Sequence, residues 1–170
     1  MSFDIESEAK LLQNSKREWI ERERTLGGDP KVIEFISDVL FHGVMRVTTN
    51  DSVETIRSLF EAGYCYYFAR MLEDAFPGGD VCLMYPFGHI TYVYDGIIYD
   101  IGGVSDAEYE SLIPIKYLGN TISVFKHNGD SNVSREEGRR VADECIKQGK
   151  IIDGKGYFEL TQRPQNIKIV

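Results

Sequence analysis

The sequence lacks the patterns that mark a metal site, a disulfide framework or a membrane span. Its three cysteines and three histidines are scattered, and no two cysteines stand at CxxC spacing, so we expect neither a metal nor another cofactor. An odd cysteine count without a secretory signal argues against disulfides. No apolar run is long enough to span a bilayer. These absences predict a cytoplasmic protein with no membrane partner.

The sequence also lacks the basic face that a nucleic-acid binder needs to contact phosphates. The 170 residues carry a net charge of -8. Residues 62–110 hold eight acids against a single base, Arg70, a sum of -7, whereas residues 111–170 hold ten bases against seven acids, a sum of +3. We therefore expect no nucleic-acid partner, and we expect the acidic segment to favour neutral or cationic substrates.

The length fits one domain, with residues 1–50 as an N-terminal helical segment and residues 51–170 as the core. Helical spacing of apolar residues predicts helices at 5–24, 31–40, 51–63 (capped by Asp51), 65–76, 105–112 and 133–148. Strand patterns fall at 81–85, 89–94, 97–101, 121–126 and 157–162. Helices, then an antiparallel sheet, then a helix make an α+β fold. The first helix either packs on the core or forms an arm for a partner or a second copy.

Cys65 stands where the fourth predicted helix begins. Unpaired N–H groups and the helix dipole at such a place favour an anion, so they stabilise a thiolate and can help to hold an oxyanion. Cys82 falls in a strand and Cys145 late in a helix, which makes Cys65 the best candidate nucleophile. The competing interpretation is a buried structural cysteine, because free cysteine is among the most buried residue types.

His89 and Asp100 lie on either side of Asp95-Gly96, the strongest hairpin signal in the sequence. A two-residue loop pairs Tyr94 with Ile97, and counting back along both strands makes His89 and Asp100 diagonal neighbours on one face, about 7–8 Å apart at the backbone. An acid there would fix the imidazole tautomer and stabilise the imidazolium. The alternatives are a half-buried histidine and an acid that caps the following glycine turn.

The other hairpin residues are apolar or aromatic on both faces. Val93 and Ile98 share the face of His89, and we expect them to pack on the helix that presents the cysteine. Eight of the ten tyrosines fall between Tyr64 and Tyr109. Those on the hairpin face opposite His89 either fill the second side of the sheet or form an aromatic wall for a flat acyl group; they are Tyr92, Tyr94 and Tyr99.

The stretch GYCYYFARMLEDAFPGG, followed by GHITYVYDGIIYDIGG, resembles the core of the papain-like and transglutaminase-like cysteine enzymes over residues 63–103. In that group a Cys opens a helix, a His starts a strand after a loop, and an Asp or Asn lies on the next strand. The resemblance implies a papain-like core with Cys65 as nucleophile, His89 as general base and Asp100 as orienting acid. Tyr64, or an N–H of the Phe87-Gly88 loop, is then the candidate oxyanion donor.

The chemistry that these residues support is that of a thiol-dependent hydrolase or acyltransferase. A thiolate attacks an amide or acyl carbonyl of a protein, a peptide or a small molecule, and water or an amine resolves the thioester. The alternative is a non-catalytic protein-binding module or inhibitor of phage or mobile-element type on the same scaffold. One feature supports the alternative: the only Trp is Trp19 and no Gln lies between Gln13 and Gln148, so the Trp and Gln that such enzymes usually have near the cysteine are missing.

Overall fold

The computed structural model of the chain describes residues 5–42, 53–61, 63–86, 88–126 and 132–152. Its architecture is α+β, as the sequence predicts. The helices of this part are α1 (Ile5–Thr25), α2 (Pro30–Ser37), α3 (Val53–Glu61), α4 (Cys65–Ala75) and α5 (Arg135–Lys147), with a π-helical turn at Asp38–His42. The strands are β1 (Asp80–Tyr85), β2 (His89–Tyr94), β3 (Ile97–Asp100), β4 (Gly103–Val104) and β5 (Ser111–Pro114). Two 3₁₀ turns, Ile115–Tyr117 and Gly119–Phe125, follow β5.

The five strands form one antiparallel sheet in the order β4-β3-β2-β1-β5. The β2–β3 loop is the predicted two-residue turn, because Asp95 and Gly96 both have positive φ, 51° and 79°, as a type I′ hairpin loop requires. Tyr94 pairs with Ile97, which confirms the predicted register. Through this register the strand positions of His89 and Asp100 are fixed relative to each other.

Helix α4 packs on one face of the sheet, and this is not the face that the sequence analysis assigned to it. Val93 and Ile98 belong to a separate apolar cluster with Met84 and Leu112, so the prediction that they pack on α4 is wrong. The helix instead covers the face that holds Tyr92 and Tyr99. Both faces of the hairpin are apolar, and only the three-dimensional packing shows which of them the helix buries.

Two of the three hairpin tyrosines fill the core instead of forming an aromatic wall for a ligand, and Tyr94 is partly buried. Tyr92 and Tyr99 are fully buried. The Tyr92 hydroxyl donates to the Phe76 carbonyl and accepts the Gly79 N–H at 2.9 Å, while the Tyr99 hydroxyl accepts the Asp29 N–H at 2.8 Å. These hydrogen bonds give both buried hydroxyls a partner. They also attach the N-terminal end of α2 and the C-terminal end of α4 to the sheet.

The N-terminal helix α1 packs on the rest of the fold through its C-terminal half. Trp19 is buried and meets Phe41 edge-on, with ring centroids 6.1 Å apart. The buried carboxylate of Glu23 accepts the Val104 N–H of β4 at 3.0 Å. Burial raises the pKa of this carboxyl, and the Val104 hydrogen bond and the Arg22 charge only partly oppose that effect. Packing is therefore one role of α1, while an additional role as an arm for a second copy stays a prediction.

Two element predictions between β4 and α5 are wrong. Residues 121–125 lie in a 3₁₀ turn rather than a strand, and Lys126 follows the turn. Hydroxyl bonds to nearby carbonyls support the turn: Thr121 donates to Leu118 at 2.5 Å and Ser123 to Asn120 at 2.8 Å. Residues 105–112 form no helix. Strand β5 begins at Ser111 and pairs with the edge of β1 opposite to β2. The predicted strand at 157–162 and the cap at Asp51 lie outside the described residues.

Helices long and apolar enough to cross a membrane are absent from the described part of the chain.

Candidate active site

Cys65 is the first residue of α4, as the sequence predicts. Tyr64 is the N-cap, but its side chain makes no capping hydrogen bond, so the backbone N–H groups of the first turn are left to other acceptors. The next turn is anchored in the core by Phe68, Ala69 and Leu72, which are all buried. The helix start is therefore held rigidly beside the sheet, with the thiol at the positive end of the helix dipole.

The environment of the Cys65 thiol favours the thiolate. Burial alone would raise its pKa, but hydrogen bonds from the His89 side chain and from the backbone N–H groups of Ile90 and Tyr66 outweigh that effect, so the pKa lies below its usual value. The other two cysteines behave in the opposite way, since burial raises the pKa of both Cys82 and Cys145. Only Cys65 thus has the character of a reactive thiol.

His89 and Asp100 are in contact, as the hairpin register predicts. The His89 Nε2 atom lies 3.2 Å from the Asp100 Oδ2 atom, and both side chains are largely buried. The other carboxylate oxygen, Oδ1, accepts the Gly102 N–H at 2.8 Å. Asp100 therefore caps the glycine turn and orients the histidine at the same time, with a separate oxygen for each task.

The electrostatics of His89 complement those of the thiol. Burial would lower the pKa of the ring, but the hydrogen bonds and charges of Asp100 and Cys65 raise it to about 9. The ring is therefore protonated at neutral pH while the thiol pKa is depressed. Because Asp100 occupies Nε2, the nitrogen left to take or return the Cys65 proton is Nδ1. The three groups can hold a thiolate–imidazolium pair oriented by a carboxylate.

A cleft of about 280 Å³ opens beside the thiol. It is lined by Glu61, Gly63, Cys65, Gly88, His89, Val124, Phe125, Lys126 and Arg135. A second cavity, of about 380 Å³, lies on the Asp100 side of the same histidine and includes Arg57, Glu61, Ser105 and Asp106. The His89 ring thus stands between two solvent-accessible spaces, and the nucleophile faces the smaller one.

The backbone N–H groups of both candidate oxyanion donors named from the sequence are engaged elsewhere. The Gly88 N–H is engaged, because it donates to the Met84 carbonyl at 3.0 Å, and the Tyr64 N–H donates to the Leu59 carbonyl at 3.3 Å. Phe87 lies outside the described residues. The donors that remain nearest the thiol are the N–H groups at the uncapped start of α4, among them that of Tyr66.

The sequence analysis missed the basic residues that line the cleft. Lys126 and Arg135 come from the 3₁₀ turn and the start of α5, and no residue pattern places either of them near Cys65. Glu61, at the end of α3, was missed in the same way, and it pairs with Arg57 at 2.8 Å. These positions depend on how separate elements pack, which spacing along the chain does not encode.

A group of three or more His, Cys, Asp or Glu side chains that could hold a metal ion is absent from the described residues.

One comparison with known proteins gives a match. The family model described as Phage YunG-like protein matches residues 42–137, a span that includes Cys65, His89 and Asp100. No curated protein and no solved structure matches the chain.

Proposed function

Because the chain belongs to the phage YunG-like protein family, whose name denotes a lineage and not a reaction, we propose its chemistry from the site itself. We propose that it is a thiol-dependent hydrolase or acyltransferase of the cytoplasm that acts on an amide or acyl bond. The observation that carries the proposal is the position of His89, which contacts Asp100 through Nε2 at 3.2 Å and lines the same cleft as Cys65. The order of these residues along the fold also supports kinship with the papain-like and transglutaminase-like enzymes.

The reaction begins when the Cys65 thiolate attacks a carbonyl carbon and forms a C–S bond. N–H groups at the start of α4 stabilise the negative oxygen of the tetrahedral intermediate. His89 gives its Nδ1 proton to the departing amine or alcohol as the bond from carbon to that group breaks, which leaves a thioester. Water or an amine then attacks the thioester, His89 takes its proton, and the acid or new amide leaves as the thiolate–imidazolium pair is restored.

Acylation by a simple ester tests the proposal without knowledge of the natural substrate. p-Nitrophenyl acetate should transfer its acetyl group to Cys65 with a burst of p-nitrophenol, and peptide mass spectrometry should locate the acetyl group. Cys65→Ser and His89→Gln should abolish the burst, while Cys145→Ser should retain it. Acetylation of all three cysteines at similar rates in the native protein would contradict the proposal.

The same assay separates hydrolysis from transfer. If water resolves the thioester, turnover should continue at a rate that added amine does not change. If an amine resolves it, turnover should accelerate with amine concentration, and the acetylated amine should accumulate. Burst kinetics with no later turnover would indicate an acylation site without an efficient second step.

A non-catalytic protein-binding role is the second candidate, and the surface beside the nucleophile favours it. Tyr67 and Met71 are exposed on α4, and the rings of Tyr64 and Tyr67 lie 5.8 Å apart. Aromatic residues such as tyrosine are typical anchors of protein interfaces. Two results together would favour this role. Cys65 of the native protein would not be acylated, and the Cys65→Ser variant would bind a partner as tightly as the native protein does.

A further inference from the structure

We infer that the cleft beside Cys65 selects substrates with a negatively charged group, a carboxylate in peptide chemistry, close to the bond that is attacked. The inference rests on the proposed function and names the substrate class of the same site. Its basis is that the cleft wall carries positively charged side chains, whereas the net charge of the whole chain is negative. Lys126 and Arg135 both line the cleft, although the protein as a whole carries a net charge of -8.

The Lys126 ammonium is held close to the nucleophile. Its Nζ atom lies 4.2 Å from the centroid of the Tyr66 ring. Tyr66 follows Cys65 directly in the first turn of α4. A cation that lies over an aromatic ring is held in position without being paired with a carboxylate, so its charge is not neutralised. Lys126 therefore stands ready to meet an anionic group of a substrate whose carbonyl lies at the thiol.

Arg135 adds a second cation from another element. It is the first residue of α5, whose N-cap is Ser134. The nearby acid Glu137 is taken by Arg140, with a nitrogen–oxygen distance of 2.7 Å. Across the described ranges, neither Lys126 nor Arg135 has a carboxylate within 4.0 Å. Both charges of the wall are thus available to a ligand.

Glu61 is the acid among the described residues of the cleft wall, and it does not cancel these charges. Glu61 pairs with Arg57 at 2.8 Å, so the two together contribute no net charge. The thiolate and the His89 imidazolium likewise balance each other. The acidic segment 62–110 predicted neutral or cationic substrates, but the cleft wall also draws on the basic segment 111–170, and the wall is what a substrate meets.

The size of the cleft restricts the ligand to a small group. About 280 Å³ is close to the lower end of pockets that bind small molecules, roughly 300–1,000 Å³. A single residue fits such a space. Its carboxylate has two possible sources, the side chain of an Asp or Glu residue and the free α-carboxylate of a chain terminus. The chemistry that the two cations recognise is the same in both cases.

Alkylation of Cys65 by two reagents of similar size tests the inference. Iodoacetate carries a carboxylate and iodoacetamide is neutral, and with either reagent the thiolate forms an S–C bond as iodide leaves. The quantity to measure is the rate with iodoacetate divided by the rate with iodoacetamide, at low ionic strength. Lys126→Gln and Arg135→Gln should each lower that ratio by about fivefold, the factor that corresponds to a unit-charge attraction at contact distance in water. Added salt should reduce the ratio in the native protein.

Lys150→Gln is the matched control. Lys150 also lies over a tyrosine ring, that of Tyr117, at 5.6 Å, and its replacement changes the net charge equally, but it does not line the cleft. Its rate ratio should equal that of the native protein. If Cys65 reacts rapidly with both reagents and all variants share one ratio, this inference is wrong and the proposed function stands. If Cys65 reacts slowly with both reagents, both are wrong.

Protection experiments distinguish the two sources of the carboxylate. N-Acetylglycine offers an α-carboxylate, N-acetylglutamate α-amide offers a side-chain carboxylate, and N-acetylglutamine α-amide offers neither. The acid that slows alkylation of Cys65 by iodoacetamide identifies the source, and Lys126→Gln should remove its protection. Equal protection by the neutral amide, or protection by none of the three, would overturn the inference.

Discussion

Replacement of Asp100 by asparagine should disable His89 while it leaves the fold in place. The Gly102 N–H can only donate, so it should hold the amide oxygen in the position of Oδ1. The amide nitrogen, also a donor, then faces the His89 Nε2 atom, where the carboxylate oxygen had been at 3.2 Å. A neutral ring can accept this contact only if its proton moves to Nδ1, and Nδ1 can then no longer accept the Cys65 proton.

The size of the effect follows from the pKa of His89. Its value of about 9 lies roughly 2.5 units above the ordinary 6.5, and burial opposes the rise. Without the carboxylate, the pKa should fall to or below its ordinary value. At 1.36 kcal/mol per pKa unit, a fall from about 9 to the ordinary value corresponds to a loss of about 3 kcal/mol of favourable interaction with the imidazolium. Acylation of Cys65 near neutral pH should slow by about tenfold for each unit by which the pKa of His89 falls.

The pKa can be measured by NMR titration of the imidazole protons, with His89→Gln used to assign the signal among the three histidines. Asp106→Asn is the control, since Asp106 lines the cavity next to His89 and the charge change is the same. That variant should shift the pKa only slightly. An Asp100→Asn protein with a melting temperature close to the native one and an unchanged His89 pKa would refute the reasoning.

Three further predictions concern stability. Gly103→Ala should cost about 1–3 kcal/mol in urea unfolding, because Gly103 has φ 102° and a Cβ there would lie 2.6 Å from the Glu23 carboxyl carbon; equal stability of variant and native protein would contradict this. Because folding raises the pKa of Glu23, the native protein should lose stability as the pH rises from 4.5 through that raised pKa. Glu23→Gln should lack this loss. If the melting temperatures of the two proteins change in parallel between pH 4 and 8, this prediction is wrong. EDTA should leave the melting temperature unchanged, and a stoichiometric zinc signal would contradict that expectation.

The candidate site was largely predictable because its key spacing is local. The Asp95-Gly96 loop fixes the hairpin register, and the register fixes the positions of His89 and Asp100 on their strands. The start of α4 at Cys65 follows from the break at the preceding glycine and the apolar spacing after it. Such features depend on a few neighbouring residues, so the sequence contains enough information to place them.

The errors arose where long-range packing or local side-chain bonds decide the structure. Thr121, Ile122 and Val124 have the composition of a strand, but they lie in a 3₁₀ turn that hydroxyl bonds to nearby carbonyls support. The basic side chains of Lys126 and Arg135 reach the cleft only through this turn and the start of α5. Their positions therefore depend on tertiary contacts that no spacing in the sequence indicates.

The pH profile of Cys65 alkylation is the most direct test of the account, whose central claim is that Cys65 and His89 form a thiolate–imidazolium pair at neutral pH. The rate of reaction with iodoacetamide should follow the thiolate fraction, with a midpoint below the ordinary pKa of a cysteine thiol. The His89→Gln variant should move that midpoint upward, because burial then acts on the thiol without its partner. A midpoint at or above the usual value in the native protein, unchanged in His89→Gln, would contradict the account.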